Sequence, residues 1–134
     1  MKTLIAGLVL AFALGGGASA ADRLDGRWIA QSGNVEVQFA PCGPTICGAV
    51  VRVMANHSME SLAASKAPPA RIGLRILSDL TPSGPGEWSG RLFDRENGHT
   101  YDCVVTPHGR TLTIRAFILL PIFGKTQTWT RAAD

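Results

Sequence analysis

The chain has 134 residues, 46% of them hydrophobic in type, and carries 13 Lys and Arg against 10 Asp and Glu, a formal net charge of +3. The basic residues are spread singly, with Arg71 and Arg75 the nearest approach to a cluster. A nucleic-acid footprint needs a basic stripe, so no nucleic acid is expected as a partner, and the charges read as solvated loop positions.

Residues 1–20 have the layout of a secretory signal peptide: Lys2, an apolar run over 4–14, and Ala18-Ser19-Ala20 as the small-residue cleavage site. A membrane-spanning helix needs about 20 apolar residues, and neither this run nor any later one is that long. Cleavage near Ala20 leaves 114 residues, 21–134, enough for one β-barrel domain. The mature protein is expected to be periplasmic or secreted, not transmembrane, and free of a lipid anchor because no cysteine stands at the cleavage point.

Past that segment the apolar pattern has a period of two. Trp28-Ile29-Ala30-Gln31 leads to a turn at Gly33, and Val35, Val37 and Phe39 alternate with Asn34, Glu36 and Gln38. This predicts a first hairpin and a strand over 34–40 with one wet face. In a third strand, Cys47, Ala49, Val51 and Val53 share one face, while Ile46, Gly48, Val50 and Arg52 share the other. The stretch 56–71 breaks the alternation. Met59, Leu62 and Ala63 have helical spacing, Ser58 is a cap and Pro68-Pro69 a stop, so one short helix or ordered loop is expected near residues 58–66.

Strand signals resume over 74–80 and 87–93, separated by the turn cluster Thr81-Pro82-Ser83-Gly84-Pro85-Gly86. Asp94-Arg95-Glu96-Asn97-Gly98 carries the Asn-Gly signal of a tight hairpin and leads into a strand over 100–105. Pro107-His108-Gly109 reads as the next turn, Leu112 and Ile114 alternate with Thr111, Thr113 and Arg115, and 125–131 forms the last strand. About eight short antiparallel strands joined by turns fit a barrel or a sandwich. The expected fold is all-β, a small up-and-down antiparallel barrel: closure removes exposed edges, and sequential hairpins need no crossing connections.

Three cysteines in an exported chain allow one intramolecular bridge and one remaining thiol. Cys42 and Cys47 flank the tip Gly43-Pro44-Thr45-Ile46, whereas Cys103 lies about three strands onward, roughly 14 Å at about 4.8 Å per strand. That exceeds the roughly 7 Å limit on Cα separation, which selects Cys42 with Cys47. Cys103 shares a strand face with Tyr101 and Val105, as a buried inert thiol would.

Gly26-x-Trp28 opens the first strand and Trp129-x-Arg131 closes the last. In a closed meander these strands are neighbours, so Arg131 is expected across the indole of Trp28 as the structural closure, a cation–π contact of about 0.5–2 kcal/mol. In this pairing the chain resembles lipocalins and their calycin relatives. It is more closely similar to an uncharacterised bacterial exported family, domain of unknown function 2147. The shared segments are Gly26-Arg27-Trp28, Cys42 with Cys47-Gly48-Ala49-Val50-Val51, Gly73-Leu74-Arg75-Ile76-Leu77, Trp88-Ser89-Gly90, Gly98-His99-Thr100-Tyr101, and Gly124-Lys125-Thr126-Gln127-Thr128-Trp129-Thr130-Arg131. The resemblance implies a lipocalin-like barrel and no particular activity. The chain departs from the family in 56–71, where an Asn-Pro element and acidic residues are usual, and at Ala116-Phe117.

Strand parity points Trp28, Val35, Val37, Phe39, Leu112, Ile114 and Trp129 inward, with Gln127 as the polar group able to orient a ligand. Trp28, Val37, Phe39, Ile114, Gln127 and Trp129 are the candidate ligand contacts, each of them also a core position. His57, His99 and His108 lie in loops or turns with no metal-ligand spacing, so no metal or cofactor is expected. Glu87, Asp94 and Glu96 are the carboxylates available for acid–base work, and Asp94 and Glu96 equally suit a hairpin tip. No Gly-x-Ser-x-Gly elbow or phosphate loop is present. The apolar run Phe117-Ile118-Leu119-Leu120-Pro121-Ile122-Phe123 is expected to fold inward as a plug, the alternative being a greasy rim or a contact with membrane or partner. The expected function is binding of a small apolar or amphipathic ligand without catalysis. The alternative is a packed envelope module that docks an envelope protein partner through loop 117–123.

Overall fold

The computed structural model describes residues 23–58, 63–120 and 124–133. Eight strands form a closed antiparallel barrel in which each strand pairs with the next and β8 returns to β1. They are β1 Gly26–Ile29, β2 Val35–Cys42, β3 Thr45–Val53, β4 Arg75–Gly84, β5 Glu87–Phe93, β6 Thr100–His108, β7 Thr111–Phe117 and β8 Gly124–Arg131. Residues 1–20, where a signal peptide is expected, lie outside the described residues, and so do Pro121, Ile122 and Phe123 of the apolar run.

Register places the core. Trp28 pairs with Val37, Phe39 with Gly48, Leu77 with Leu92, Gly90 with Cys103, Val105 with Ile114, and Leu112 with Trp129. Cross-strand partners share a face, so these residues form one interior column after another. Trp28, Val37, Val50, Leu77, Leu80, Val105, Leu112 and Ile114 are fully buried. At about 1.5–3 kcal/mol for each large apolar side chain removed from water, this column is the main source of stability. The outer face is polar, with Arg91 opposite Asp102, Thr113 opposite Thr128 and Arg115 opposite Thr126. An apolar inside and a polar outside invert the pattern of a membrane-spanning barrel. No helix among the described residues is long and apolar enough to cross a membrane.

Two glycines are fixed by close approach. A Cβ at Gly90 would lie 2.5 Å from the Ser78 carbonyl oxygen and 2.7 Å from Leu80, so β4 presses on β5 only because the side chain is missing. That contact sits where the β4–β5 register shifts, between Ser78 and Thr81. Gly26 has φ +104°, and its added Cβ would meet the Arg131 guanidinium at 3.1 Å. The Gly-x-Trp signature therefore has a steric cause: the glycine makes room for the arginine.

The structure departs from the sequence reading at three turns. β4 continues through the supposed turn cluster to Gly84, leaving only Pro85-Gly86 as the turn. Pro82 is tolerated because β3 pairs with β4 only as far as Leu80, so the missing N–H faces no strand on that edge. β6 likewise runs through Pro107 to His108. The Asn-Gly hairpin is wider than a two-residue turn, closed by Asp94 N–H donating to the His99 carbonyl. Of the helix or ordered loop expected near 58–66, the described residues show the loop: Ser58 donates to the Ala63 carbonyl and His57 bridges to Ala64. Met59 and Leu62, which suggested the helix, lie outside the described residues.

Cys42 and Cys47 form the disulfide, with Cα atoms 5.9 Å apart. Cys42 pairs with Thr45 and Cys47 with Ala40, so the bridge is diagonal and lies on the outer wall with Ala40. Cys103 is the free, buried cysteine, and burial pushes its thiol up to about 12.

Candidate functional site

The barrel has a closed end and an open one. Strand direction puts the β2–β3, β4–β5 and β6–β7 turns at one end, together with the start of β1 and the close of β8. Here Arg131 lies 4.1 Å above the Trp28 ring. Its guanidinium donates to the carbonyls of Asp25 at 3.0 Å, Arg23 at 3.0 Å and Gly109 at 3.3 Å. Trp28 Nε1 donates to the Leu24 carbonyl at 2.9 Å. The segment 23–25 is thus strapped across the floor, and the hydrogen bond from Arg23 holds the Asp25 carboxyl below its usual range.

The other end carries the β1–β2, β3–β4, β5–β6 and β7–β8 connections and opens into a cavity of about 580 Å³. Its apolar wall comes from Val35, Ala70, Ile76, Leu92 and Trp129, and its polar rim includes Asn34, Asn97, Lys125 and Gln127. A smaller recess of about 290 Å³ adjoins it, sharing Leu92, Asp94, Asn97, Lys125 and Gln127 and adding Tyr101, Ala116, Phe117 and Ile118.

Trp129 marks the boundary between filled and hollow interior. Its ring meets Phe39 with centroids 6.4 Å apart, and its Nε1 donates to Gln127 Oε1 at 2.8 Å. β8 therefore presents an inward series from mouth to floor: Lys125, Gln127, Trp129, Arg131. The first three line the cavity.

The rim is held by side chains that substitute for strand pairing. Only Trp28–Arg131 and Ile29–Thr130 pair β1 with β8, so the seam stops short of the mouth. Beyond it Gln31 Oε1 accepts from the Thr128 N–H at 2.6 Å. Ala30, Gln31 and Ser32 face Lys125, Thr126 and Gln127 across this gap, and all six line the cavity. Asn34, buried, accepts from the His57 N–H at 2.7 Å and donates to the His57 carbonyl at 2.9 Å, which fastens the long β3–β4 loop to the first turn. Arg95 donates to the Pro68 carbonyl and ties the β5–β6 loop to the same β3–β4 loop. Asn97 completes the rim by donating to Tyr101 Oη at 2.9 Å.

Of the candidate ligand contacts, Gln127 and Trp129 line the cavity, whereas Trp28, Val37, Phe39 and Ile114 are buried below it. Val35, expected inward, reaches the cavity wall. The carboxylates are divided. Asp94 and Glu96 line the mouth, while Glu87 starts β5 at the closed end, where Ser83 Oγ donates to it at 3.3 Å. Among the described residues no three His, Cys, Asp or Glu side chains converge as metal ligands would. The described part of the apolar run does not fold inward as a plug: Ile118, Leu119 and Leu120 are 60, 84 and 56% exposed. Two features sustain that exposure, a Leu120 N–H bond back to the Ile118 carbonyl and a left-handed Leu119 with φ 69°.

Sequence reasoning missed the wall residues Ala70 and Ile76 and the rim residues Gln31, Asn34, Asn97 and Lys125. Parity on β8 carries a signal for Lys125, two residues before Gln127; the loop residues follow no period and give none.

The family model described as an uncharacterized protein conserved in bacteria (DUF2147) matches residues 26–131, from the first residue of β1 to the last of β8. No curated protein and no solved structure matches the chain.

Proposed function

The chain belongs to this uncharacterised bacterial family, and from that premise we propose that it is an exported binding protein that takes one small amphipathic molecule into the open half of its barrel and does not transform it. The observation that carries this reading is the cavity of about 580 Å³ above Trp129. Ligand pockets range over about 300–1,000 Å³ and combine a mostly apolar lining with a few placed polar groups. Leu92, Val35 and Trp129 supply the apolar surface for a tail, and Gln127, Asn97 and Lys125 the polar groups for a head. Export is supported by the layout of residues 1–20 and by the Cys42–Cys47 disulfide, a bond favoured in oxidising compartments.

Native mass spectrometry of protein purified without detergent tests the reading. A co-purified small molecule, displaced by added amphiphile and retained less by Gln127→Ala, is the expected result. An apo mass that stays unchanged through a series of amphiphiles of increasing chain length would overturn it. The second reading, an envelope module docking through loop 117–123, draws on a separate observation, the exposure of residues 118–120.

A further inference from the structure

The large apolar side chains left in solvent are distributed unevenly. Among the described residues they are Val51, Val53, Ile72, Ile118, Leu119 and Leu120, and all six belong to the mouth half of the barrel. Val51 and Val53 end β3 beside the mouth, and Ile72, 73% exposed, stands on the β3–β4 loop. That loop is folded back onto β3 by Gly73 N–H donating to the Val50 carbonyl and Val50 N–H to the Leu74 carbonyl. Ile118, Leu119 and Leu120 project from the β7–β8 connection. In the closed ring of eight these two connections are four strands apart, on opposite sides of the opening. The cavity therefore opens between two apolar prongs.

Each prong has basic neighbours. Lys66, Arg71 and Arg75 are exposed on the segment that carries Ile72, and Lys125 is exposed close after the second prong. Asp94 and Glu96 stand on the β5–β6 loop between them. The second prong also carries conformational strain. A positive φ closed by the Leu120 N–H bond to the Ile118 carbonyl is a rare and strained turn for a branched residue such as Leu119, and here it holds three apolar side chains outward.

We propose that the barrel mouth docks on the surface of an anionic lipid bilayer, with Ile72 on one side and Ile118, Leu119 and Leu120 on the other entering the headgroup–acyl boundary and Arg71 and Lys125 meeting lipid phosphates. Interfacial binding of this kind scales with apolar area plus attraction to anionic lipid. Two prongs on opposite sides fix the approach: the opening faces the bilayer, and an amphiphile passes between lipid and cavity without crossing open water. The docking stands on the prongs and is independent of whether the cavity holds a ligand.

The test is flotation of the full chain with vesicles of equal parts phosphatidylglycerol and phosphatidylcholine, against phosphatidylcholine alone. The apolar run 4–14 is present in every variant, so the substitutions carry the result. Binding is expected on the anionic vesicles and to weaken as salt is raised. Ile72→Asn and Leu119→Asn, on opposite prongs, are each expected to lower it about tenfold, and Arg71→Gln about fivefold, the effect of roughly one basic residue at an anionic surface. All three positions are exposed, and an unchanged melting temperature shows that the fold is kept. A local reporter, Leu120→Trp, should be quenched by brominated lipid. Binding that ignores both prong substitutions, equal binding to neutral vesicles, an unquenched reporter, or self-association abolished by Leu119→Asn in place of vesicle binding would each overturn the proposal.

Discussion

At the closed end, Arg131 rests on Trp28 and donates to three backbone carbonyls. At the mouth, Lys125, on the same strand and the same inward face, borders a cavity. Both are cations on the inner face of β8, but their surroundings differ. Around Arg131 the preceding segment 23–25 and the β6–β7 turn supply acceptors, so the guanidinium is part of the floor. Around Lys125 the β1–β8 pairing has already ended, and Gln31, Asn34 and Arg95 tie the connections to one another around the opening instead of strapping a segment across it. One alternating pattern thus builds a sealed half and a hollow half, and the difference lies in what the connecting segments do.

Substitutions that break the floor should have the largest effects. Trp28→Ala is expected to cost about 3–5 kcal/mol in urea unfolding, the range for removing a large buried aromatic. Arg131→Met keeps the stem but loses the donors and the ring contact, and should cost about 2 kcal/mol. Cys42→Ser with Cys47→Ser should lower stability by about 2 kcal/mol, the contribution of a short-loop disulfide, while leaving uptake at the mouth intact.

Cys103 sharpens the contrast because it reports on the packed interior. Its thiol is raised from 9.0 to about 12 by burial. A raised folded-state value means that stability is fully present below pH 9 and is lost as pH rises toward 12. By pH 10 the loss is about 1 kcal/mol. Urea midpoints should fall over this range in the parent chain and stay nearly level in Cys103→Ala, and the native thiol should resist alkylating reagents.

At the mouth the order reverses, with small effects on stability and large ones on uptake. Lys125→Ala should change stability by no more than about 0.5 kcal/mol, as at other exposed positions. On the proposed function it should weaken retention of an anionic amphiphile by about tenfold, read by displacement in native mass spectrometry.

The same division governs what could be read from the sequence. Alternation at Val35, Val37 and Phe39 and at Leu112 and Ile114 identifies strands and their inner faces because burial on a pleated sheet forces a period of two. The disulfide follows from strand spacing. Pro82 and Pro107 mislead because a proline is a breaker only where a ladder partner needs its N–H, and partnering is a property of the neighbour. The rim is hidden for a related reason. Asn34 and Gln31 act by taking the place of backbone pairing across the ring, on His57 and Thr128, and nothing in their own segments records those partners. The apolar stretch 117–123 was visible by composition, but its direction was not: residues 118–120 turn outward through a left-handed Leu119 that local sequence gives no reason to expect.

The most direct test of a barrel packed below Trp129 and receptive above it compares its indole N–H groups. In a ¹⁵N–¹H correlation spectrum, titration with decanoate should move the Trp129 indole signal, whose N–H meets Gln127 in the cavity, and leave the Trp28 signal, bonded to the Leu24 carbonyl, in place. A Trp129 signal that stays fixed at saturating decanoate, or a Trp28 signal that moves with it, would contradict the account.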